Sequence, residues 1–194
     1  MTSRGSGVRT IPDFSVLCDD SARNAVVLHL EESIDRFDLM KGVANEARPV
    51  RFRAPHGKRS WPDLVATDAV VLYLISRRFR EALHDAGISG WHTRKVEVDG
   101  DANRDHELLV ITGRCGAVDD QLSERTSRKN KSGVQYTVWS GLFFDPATWD
   151  GSDVFCPADS GLIFMTRRAV TAIEEAKLEN VRLDNGIKFE RLAL

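Results

Sequence analysis

Two stretches of the chain can be laid over one another without a gap. Residues 63–91 (DLVATDAVVLYLISRRFREALHDAGISGW) match residues 153–181 (DVFCPADSGLIFMTRRAVTAIEEAKLENV) at a constant offset of 90. Six of the 29 positions are identical: Asp63/Asp153, Leu72/Leu162, Arg77/Arg167, Arg78/Arg168, Ala82/Ala172 and Ala86/Ala176. Most differences at apolar positions keep the position apolar, so the shared physical pattern says more than the identities. Each copy opens on Asp and two apolar residues, passes an apolar run, and reaches Ser76 or Thr166, whose side-chain oxygen suits a helix N-cap. Phe79, Ala82, Leu83 and Ala86 then share one helical face in the first copy; Val170, Ile173 and Ala176 form the stripe in the second. Gly87 supplies a left-handed stop for the first helix.

After each helix the pattern turns extended again: 91–98 and 106–112 after the first, 181–192 after the second, where Asn185-Gly186 is a two-residue hairpin signal. Alternation through RKVEV (94–98) is imperfect and points to an edge strand or a bulge. The expected fold is therefore α+β: two similar strand-helix-hairpin lobes, near 63–112 and 153–194, sharing a mixed, mainly antiparallel sheet. N-terminal strands at 25–30 and 49–54 precede them, with a short helix between that carries Ile34, Phe37 and Met40 and ends at Gly42. Residues 1–10, small, polar and basic, read as a disordered tail before a single domain over 11–194. The segment 113–133 has little apolar content and reads as a long mobile excursion between the lobes; 135–151 reads as a strand pair turning near Asp145-Pro146.

With 194 residues, 42% of them hydrophobic, the chain carries enough apolar material for one sizeable core. Its 27 Lys+Arg against 29 Asp+Glu give a net charge of -2, so no global field draws it to nucleic acid or to an anionic membrane. Cys18, Cys115 and Cys156 are an odd number without a CxxC pair, which argues against a disulfide scaffold and a thiolate zinc site and fits a reducing cytoplasm. No apolar run of signal-peptide length opens the chain, and none approaches the roughly 20 residues of a membrane span.

Chemical signatures are sparse. Asp99 to Asp105 alternates oxygen ligands in the manner of a calcium loop, but Arg104 stands where such a loop needs glycine and Val110 where it needs a bidentate glutamate. A solvated hairpin tip is the preferred reading. The five histidines lack HExxH spacing, Ser140 lacks a GxSxG elbow, Cys115 has no histidine near it in sequence, and the glycines form neither a P-loop nor a dinucleotide fingerprint. No catalytic residue, metal or cofactor is expected. Two charged sets remain. Glu97, Asp99, Asp101, Asp105 and Glu107, with Asp119 and Asp120, suit a basic partner. Arg125, Arg128, Lys129 and Lys131, followed by Tyr136 and Trp139, form a weaker pattern for phosphate contact and base stacking. The arginine pairs 77/78 and 167/168 sit in first helical turns, where the macrodipole disfavours cations, so each calls for a carboxylate; Asp63 and Asp153 are the natural partners.

The segments FDLMKG, PVRF, WPDLV, LISRRFREALHDAGISGW, WDGSDVF and GLIFMTRRAVTAIEEAKLENV together resemble the immunity proteins of bacterial polymorphic-toxin systems. The likeness is to a group first described as a domain of unknown function and later assigned to toxin immunity, related to the double-CxxCG myxobacterial immunity proteins. It spans roughly residues 25 to 185 and rests on short motifs. The chain departs from the double-CxxCG branch: Cys115-Gly116 lacks the earlier cysteine and Cys156 has no partner in sequence, so that branch's metal knuckle is not carried over. The resemblance implies a non-enzymatic cytoplasmic protein that binds a cognate toxin and occludes its active site, with the acidic set above as the expected contact. The alternatives are an enzyme that reverses a toxin's modification and a nucleic-acid-binding regulator, the latter disfavoured by the acidic balance.

Overall fold

The computed structural model describes residues 13–20, 26–43, 48–55, 61–69, 71–99, 105–130 and 132–192; the tail expected at 1–10, Asp101 and Lys131 lie outside them. The elements, in chain order, begin with β1 (Phe14–Asp19), β2 (Val27–Leu30), α1 (Arg36–Met40), β3 (Val50–Arg53), β4 (Leu64–Thr67), β5 (Tyr73–Ile75) and α2 (Arg77–Asp85). Next come β6 (Trp91–Arg94), β7 (Val96–Asp99), β8 (Glu107–Ile111), β9 (Gly113–Cys115), β10 (Glu124–Lys129) and β11 (Gln135–Ser140). The chain closes with β12 (Val154–Pro157), β13 (Phe164–Thr166), α3 (Arg167–Ala176), β14 (Val181–Asn185) and β15 (Glu190–Leu192). The fold is α+β, with mixed, largely antiparallel sheets.

The strands form sheets of order β6-β8-β5-β4-β2-β3-β7, β14-β1-β13-β12-β9 and β10-β11-β15. The first two correspond strand for strand over five positions. Reading β6, β8, β5, β4, β2 against β14, β1, β13, β12, β9, both run through three antiparallel pairings and end on a parallel one. β4, β5, α2 and β6 meet their counterparts β12, β13, α3 and β14 about ninety residues on. One counterpart breaks chain order: the place that β8 takes after β6 is taken in the second sheet by β1, from the other end of the chain. Phe14, Val16 and Cys18 alternate with Ser15 and Leu17, a strand pattern that the sequence reading passed over.

Both helices begin as their caps dictate. Ser76 accepts from Phe79 N, and Thr166 from Ala169 N. Phe79 and Leu83 of α2, and Ala169, Val170, Ala172 and Ile173 of α3, are buried, and the helices pack against one another. Gly87 takes φ +62 after α2; its counterpart Lys177 adopts the same left-handed conformation at φ 50 without being glycine.

Of the anticipated ion pairs, those of Arg78 and Arg168 are present and do more than join a strand to its own helix, while Arg77 pairs instead with Glu81 of its own helix. Asp63 Oδ1 accepts from Ser76 Oγ at 2.6 Å, and Oδ2 from Arg78 Nη1 at 2.9 Å and from the Glu179 N–H at 2.9 Å. Ninety residues on, Asp153 Oδ1 accepts from Thr166 Oγ1 at 3.0 Å, and Oδ2 from Arg168 Nη1 at 3.2 Å and the Ser89 N–H at 3.0 Å. Glu179 and Ser89 belong to the segments that leave the opposite helix. The guanidinium groups also cross over: Arg78 Nη2 donates to Ala176 O, and Arg168 Nη2 to Ala86 O and Gly87 O. A cation misplaced in the first turn of its own helix thus serves the negative end of the other one.

The five-stranded sheet separates two cores. Leu17, Val154, Cys156 and Met165 face α3 and the larger cluster, which continues through Leu28, Phe52, Leu74 and Phe79. Phe14, Val16, Cys115, Phe155 and Phe164 face the other way and pack with Val118, Leu142 and Phe144. Phe14 stacks on Phe164 with ring centroids 4.5 Å apart and lies 5.5 Å from Phe144. A sheet apolar on both faces explains why continuous runs such as GLIFM, and not clean alternation, mark its strands.

Two sequence expectations are corrected and a third is met. Asn185-Gly186 is no hairpin turn: the Asn185 side chain accepts from Ile187 N and Lys188 N and caps a 3-10 turn, Gly186–Lys188. The chain therefore leaves one sheet at β14 and enters another at β15. The edge strand expected from the imperfect alternation at 94–98 is present: β6 and β7 stand at the two ends of the seven-stranded order, β6 pairing with β8 and, one residue later, β7 with β3. The ends of the seven-stranded order are thus contiguous in the chain and the sheet curls back on itself. Finally, 113–133 is not a featureless excursion, since it holds β9, buried beside β12, and β10.

Asp63 is almost fully buried, whereas the Arg78 side chain is 58% exposed. Asp63→Ala strands three donors and is expected to lower unfolding free energy by about 3 kcal/mol, against about 1 kcal/mol for Arg78→Ala. Urea denaturation followed by circular dichroism measures both; equal losses contradict the carboxylate's role as the hub.

Candidate functional site

The acidic set falls into separate groups with different neighbours. Glu97 and Asp99 both lie on β7, on the exposed side, in register with Arg51 and Arg53 of β3. Glu97 Oε2 accepts from Arg51 Nε at 3.2 Å. Asp105 and Glu107 converge on Arg80 of α2: Arg80 Nη2 donates to Asp105 Oδ1 at 3.3 Å, and Nη1 pairs with Glu107 Oε1. Thr93 Oγ1 donates to the other Glu107 oxygen. Burial works against the ionised form of Glu107, but Arg80 and Thr93 outweigh it and hold its pKa below the usual carboxylate range. Asp119 accepts from Gln121 N and shapes the turn before β10; Asp119 and Asp120 are exposed. Glu97, Asp105 and Glu107 therefore have arginine partners within the fold, and Asp99, Asp119 and Asp120 are exposed.

Between Asp105 and Glu107 sits His106. Its Nε2 meets Pro62 O at 2.9 Å, its ring packs edge-on against Trp61 at 5.3 Å, and its Nδ1 is buried with no hydrogen-bond partner. Burial depresses its pKa below the ordinary histidine value. The unfolded chain takes up a proton there at a higher pH than the folded one. Stability is accordingly expected to fall as pH drops through the ordinary histidine range toward the depressed folded value, and His106→Gln should flatten that part of the stability-pH curve. Urea midpoints taken across that range test the sign.

The basic set lies on a ribbon. β10 and β11 pair antiparallel over Glu124↔Ser140 to Lys129↔Gln135, and β15 pairs with β11 only from Ser140 to Val138. Beyond Val138, which is buried, residues 127–130 and 132–136 are exposed, so the distal half stands clear of the body. Asn130 Oδ1 accepts from Ser132 N and Val134 N to build the tip, where Gly133 takes φ +80. Arg128 lies opposite Tyr136 and pairs with Glu190 of β15. Val134 is 59% and Tyr136 38% exposed, and Leu122 and Ile187 lie exposed near the ribbon's base. Large apolar side chains that a fold leaves in water on a charged arm are candidates for partner contact. The strand pair expected over 135–151 is corrected: its first strand is β11, but β11 pairs with β10 and β15, and Asp145-Pro146 opens a 3-10 turn over Pro146–Thr148.

The reactive groups are turned to structure. Cys115 and Cys156 lie on adjacent strands but on opposite faces, one in each core. Burial, reinforced by Cys156, pushes Cys115 to about 12; burial and Asp184 push Cys18 to about 11. Arg114, which sequence reasoning passed over, sends Nη1 to Ile111 O and Gly113 O and Nη2 to Lys41 O, tying the end of α1 to β9. Among the described residues no three His, Cys, Asp or Glu side chains gather as a metal site, and no helix is long and apolar enough to cross a membrane.

Compared with protein-family models and with curated proteins, the chain finds no match.

Raised thiol pKa values predict slow chemistry. At pH 8 the folded protein should show no fast-reacting thiol toward a disulfide reagent such as dithionitrobenzoate, and all three of Cys18, Cys115 and Cys156 should react once guanidinium unfolds it. A rapid stoichiometric burst from the folded protein contradicts this.

Proposed function

We propose that the chain is an immunity protein that binds a cognate bacterial toxin effector and neutralises it by occluding the active site. The family resemblance supports the class of function. The observation that carries a binding role is the β10–β11 ribbon, which displays Val134 and Tyr136 beyond the point where the fold covers it. An aromatic and a branched aliphatic side chain, already held on a paired β-ribbon, lose little conformational entropy on docking and fit the anchor positions of a protein interface. Asp99, Asp119 and Asp120 then act as rim charges that steer a basic toxin. Neutralisation is stoichiometric and needs no chemistry from the chain.

A second reading has one observation in its favour. Arg125 and Lys129 share a face of the ribbon, and a two-stranded ribbon fits the major groove of DNA. The net charge of -2 and the Arg128–Glu190 pair weigh against it.

The test is co-expression with the product of the neighbouring toxin gene. Rescue of growth and a one-to-one complex on size exclusion are expected, with Tyr136→Ala weakening binding by at least about tenfold and Asp119→Lys/Asp120→Lys chiefly slowing association at low salt. Rescue without any complex overturns occlusion in favour of an enzyme. Binding to duplex DNA that falls steeply with salt and requires Arg125 and Lys129 favours the regulator.

A further inference from the structure

Strand β14 has a strand neighbour on one side only among the described residues. The direction of its free groups follows from its neighbours. Leu17 N donates to Ile163 O, so the peptide groups of Ser15 and Leu17 face β13; Asp20 N donates to Asn180 O, so those of Val16 and Cys18 face β14. Val16 and Cys18 pair with Asp184 and Arg182. The N–H and C=O groups of Val181, Leu183 and Asn185 therefore point away from the sheet. An open groove of about 560 Å³ is lined by Arg182, Leu183, Asp184 and Asn185 of β14 together with Lys188, Phe189 and Glu190.

An unprotected edge of this kind pairs with another strand unless something prevents it. Arg182 Nε pairs with Asp184 of its own strand at 3.1 Å, so each copy presents one cation and one anion side by side on the same face, and that alternation selects the partner. When two copies of β14 pair antiparallel about a two-fold axis at Leu183, Arg182 of each faces Asp184 of the other, Leu183 meets Leu183, and all five residues overlap. Shifting by two residues in either direction sets Arg182 against Arg182 or Asp184 against Asp184, which repel. The centred register also brings the outward-pointing groups of Val181, Leu183 and Asn185 opposite one another, giving about six main-chain hydrogen bonds. The strand is thus self-complementary in hydrogen bonding, in charge and in its apolar centre, as a two-fold interface demands.

We propose that the protein forms a two-fold homodimer through antiparallel pairing of β14, joining the two five-stranded sheets into one. The interface is independent of the ribbon, so the dimer and toxin binding stand or fall separately. A contact of one strand pair is small beside the roughly 1,600 Å² of a standard interface, so the dimer dissociates in the micromolar range.

The experiment is sedimentation equilibrium or light scattering of the full chain from about 1 to 300 µM, a range chosen for an interface of this size. The wild type is expected to pass from monomer to dimer. Arg182→Asp alone and Asp184→Arg alone each place like charges across the axis and should weaken self-association at least about tenfold. Mixed together, the two variants should form a heterodimer. The carboxylate introduced at position 182 of one then faces the guanidinium introduced at position 184 of the other, and the native Asp184 and Arg182 pair at the opposite end. A purely structural role for these residues predicts no such pairing. Leu183→Pro removes an N–H that faces away from β1 and should abolish the dimer; because Leu183 also packs against the larger core, the thermal midpoint is expected to drop, and circular dichroism checks that the monomer stays folded. A wild type that stays monomeric throughout, or a dimer indifferent to both reversals and to proline, overturns the proposal.

Discussion

Two carboxylates, Asp63 and Asp153, hold this fold in register. Each receives a hydroxyl from the N-cap of its own helix, a guanidinium from the first turn of that helix, and a backbone N–H from the segment that leaves the other helix. The third contact makes the arrangement reciprocal, because each lobe's acid completes a turn that belongs to its neighbour. Burying a carboxylate is costly, but three or more donors offset the lost water, and the arginine heads remain largely in solvent, so only one member of each pair loses its hydration. The same arginines carry positive charge to the carbonyl ends of the opposite helices, which removes the macrodipole penalty of their own positions.

From that register the two sheets diverge. Both share a five-strand plan, but in the first the sheet runs on through β3 to β7, which follows β6 after Lys95 alone, and so closes on itself. In the second the chain leaves β14 through the 3-10 turn at Asn185 and joins the separate sheet with β10 and β11. β9 is covered on its outer side by Asp150 and Thr148, which bond Arg114 N and Gly116 N. β14 has no such cover among the described residues. The N-terminal strand, inserted between β13 and β14, makes the second sheet depend on the first residues of the described chain.

What was legible in the sequence was local. Ser76 and Thr166 as caps, Gly87 as a stop, and Asp63 and Asp153 as partners for arginine follow from spacing and from the electrostatics of a helix end, and the structure places all of them accordingly. Glu179 was not legible, since it contributes a backbone N–H, which any residue offers; Ser89 adds its hydroxyl to its N–H, but only tertiary packing brings it to Asp153. β1 was passed over although Phe14, Val16 and Cys18 alternate with Ser15, because apolar Leu17 interrupts the polar face, and β10 because ERTSRK has nothing to bury. The Asn185-Gly186 signal was real but ambiguous: an Asn side chain that accepts from the next residues initiates a 3-10 turn as readily as a hairpin. In the acidic set the charges could be read but their arginines could not, because Arg51 and Arg80 reach Glu97, Asp105 and Glu107 only through tertiary packing.

The asymmetry between the lobes bears on function. The first lobe leaves little of its sheet open, and its charged residues largely answer one another. The second carries the uncovered edge of β14, the groove beside it, and, through β15, the ribbon with Val134 and Tyr136 at its free end. Burial raises the thiol pKa of Cys18, Cys115 and Cys156 and lowers that of His106. Exposed apolar side chains occur in both halves, Val27, Phe37 and Val43 in the N-terminal one and Leu122, Val134, Tyr136 and Ile187 in the C-terminal one, which adds the uncovered edge of β14.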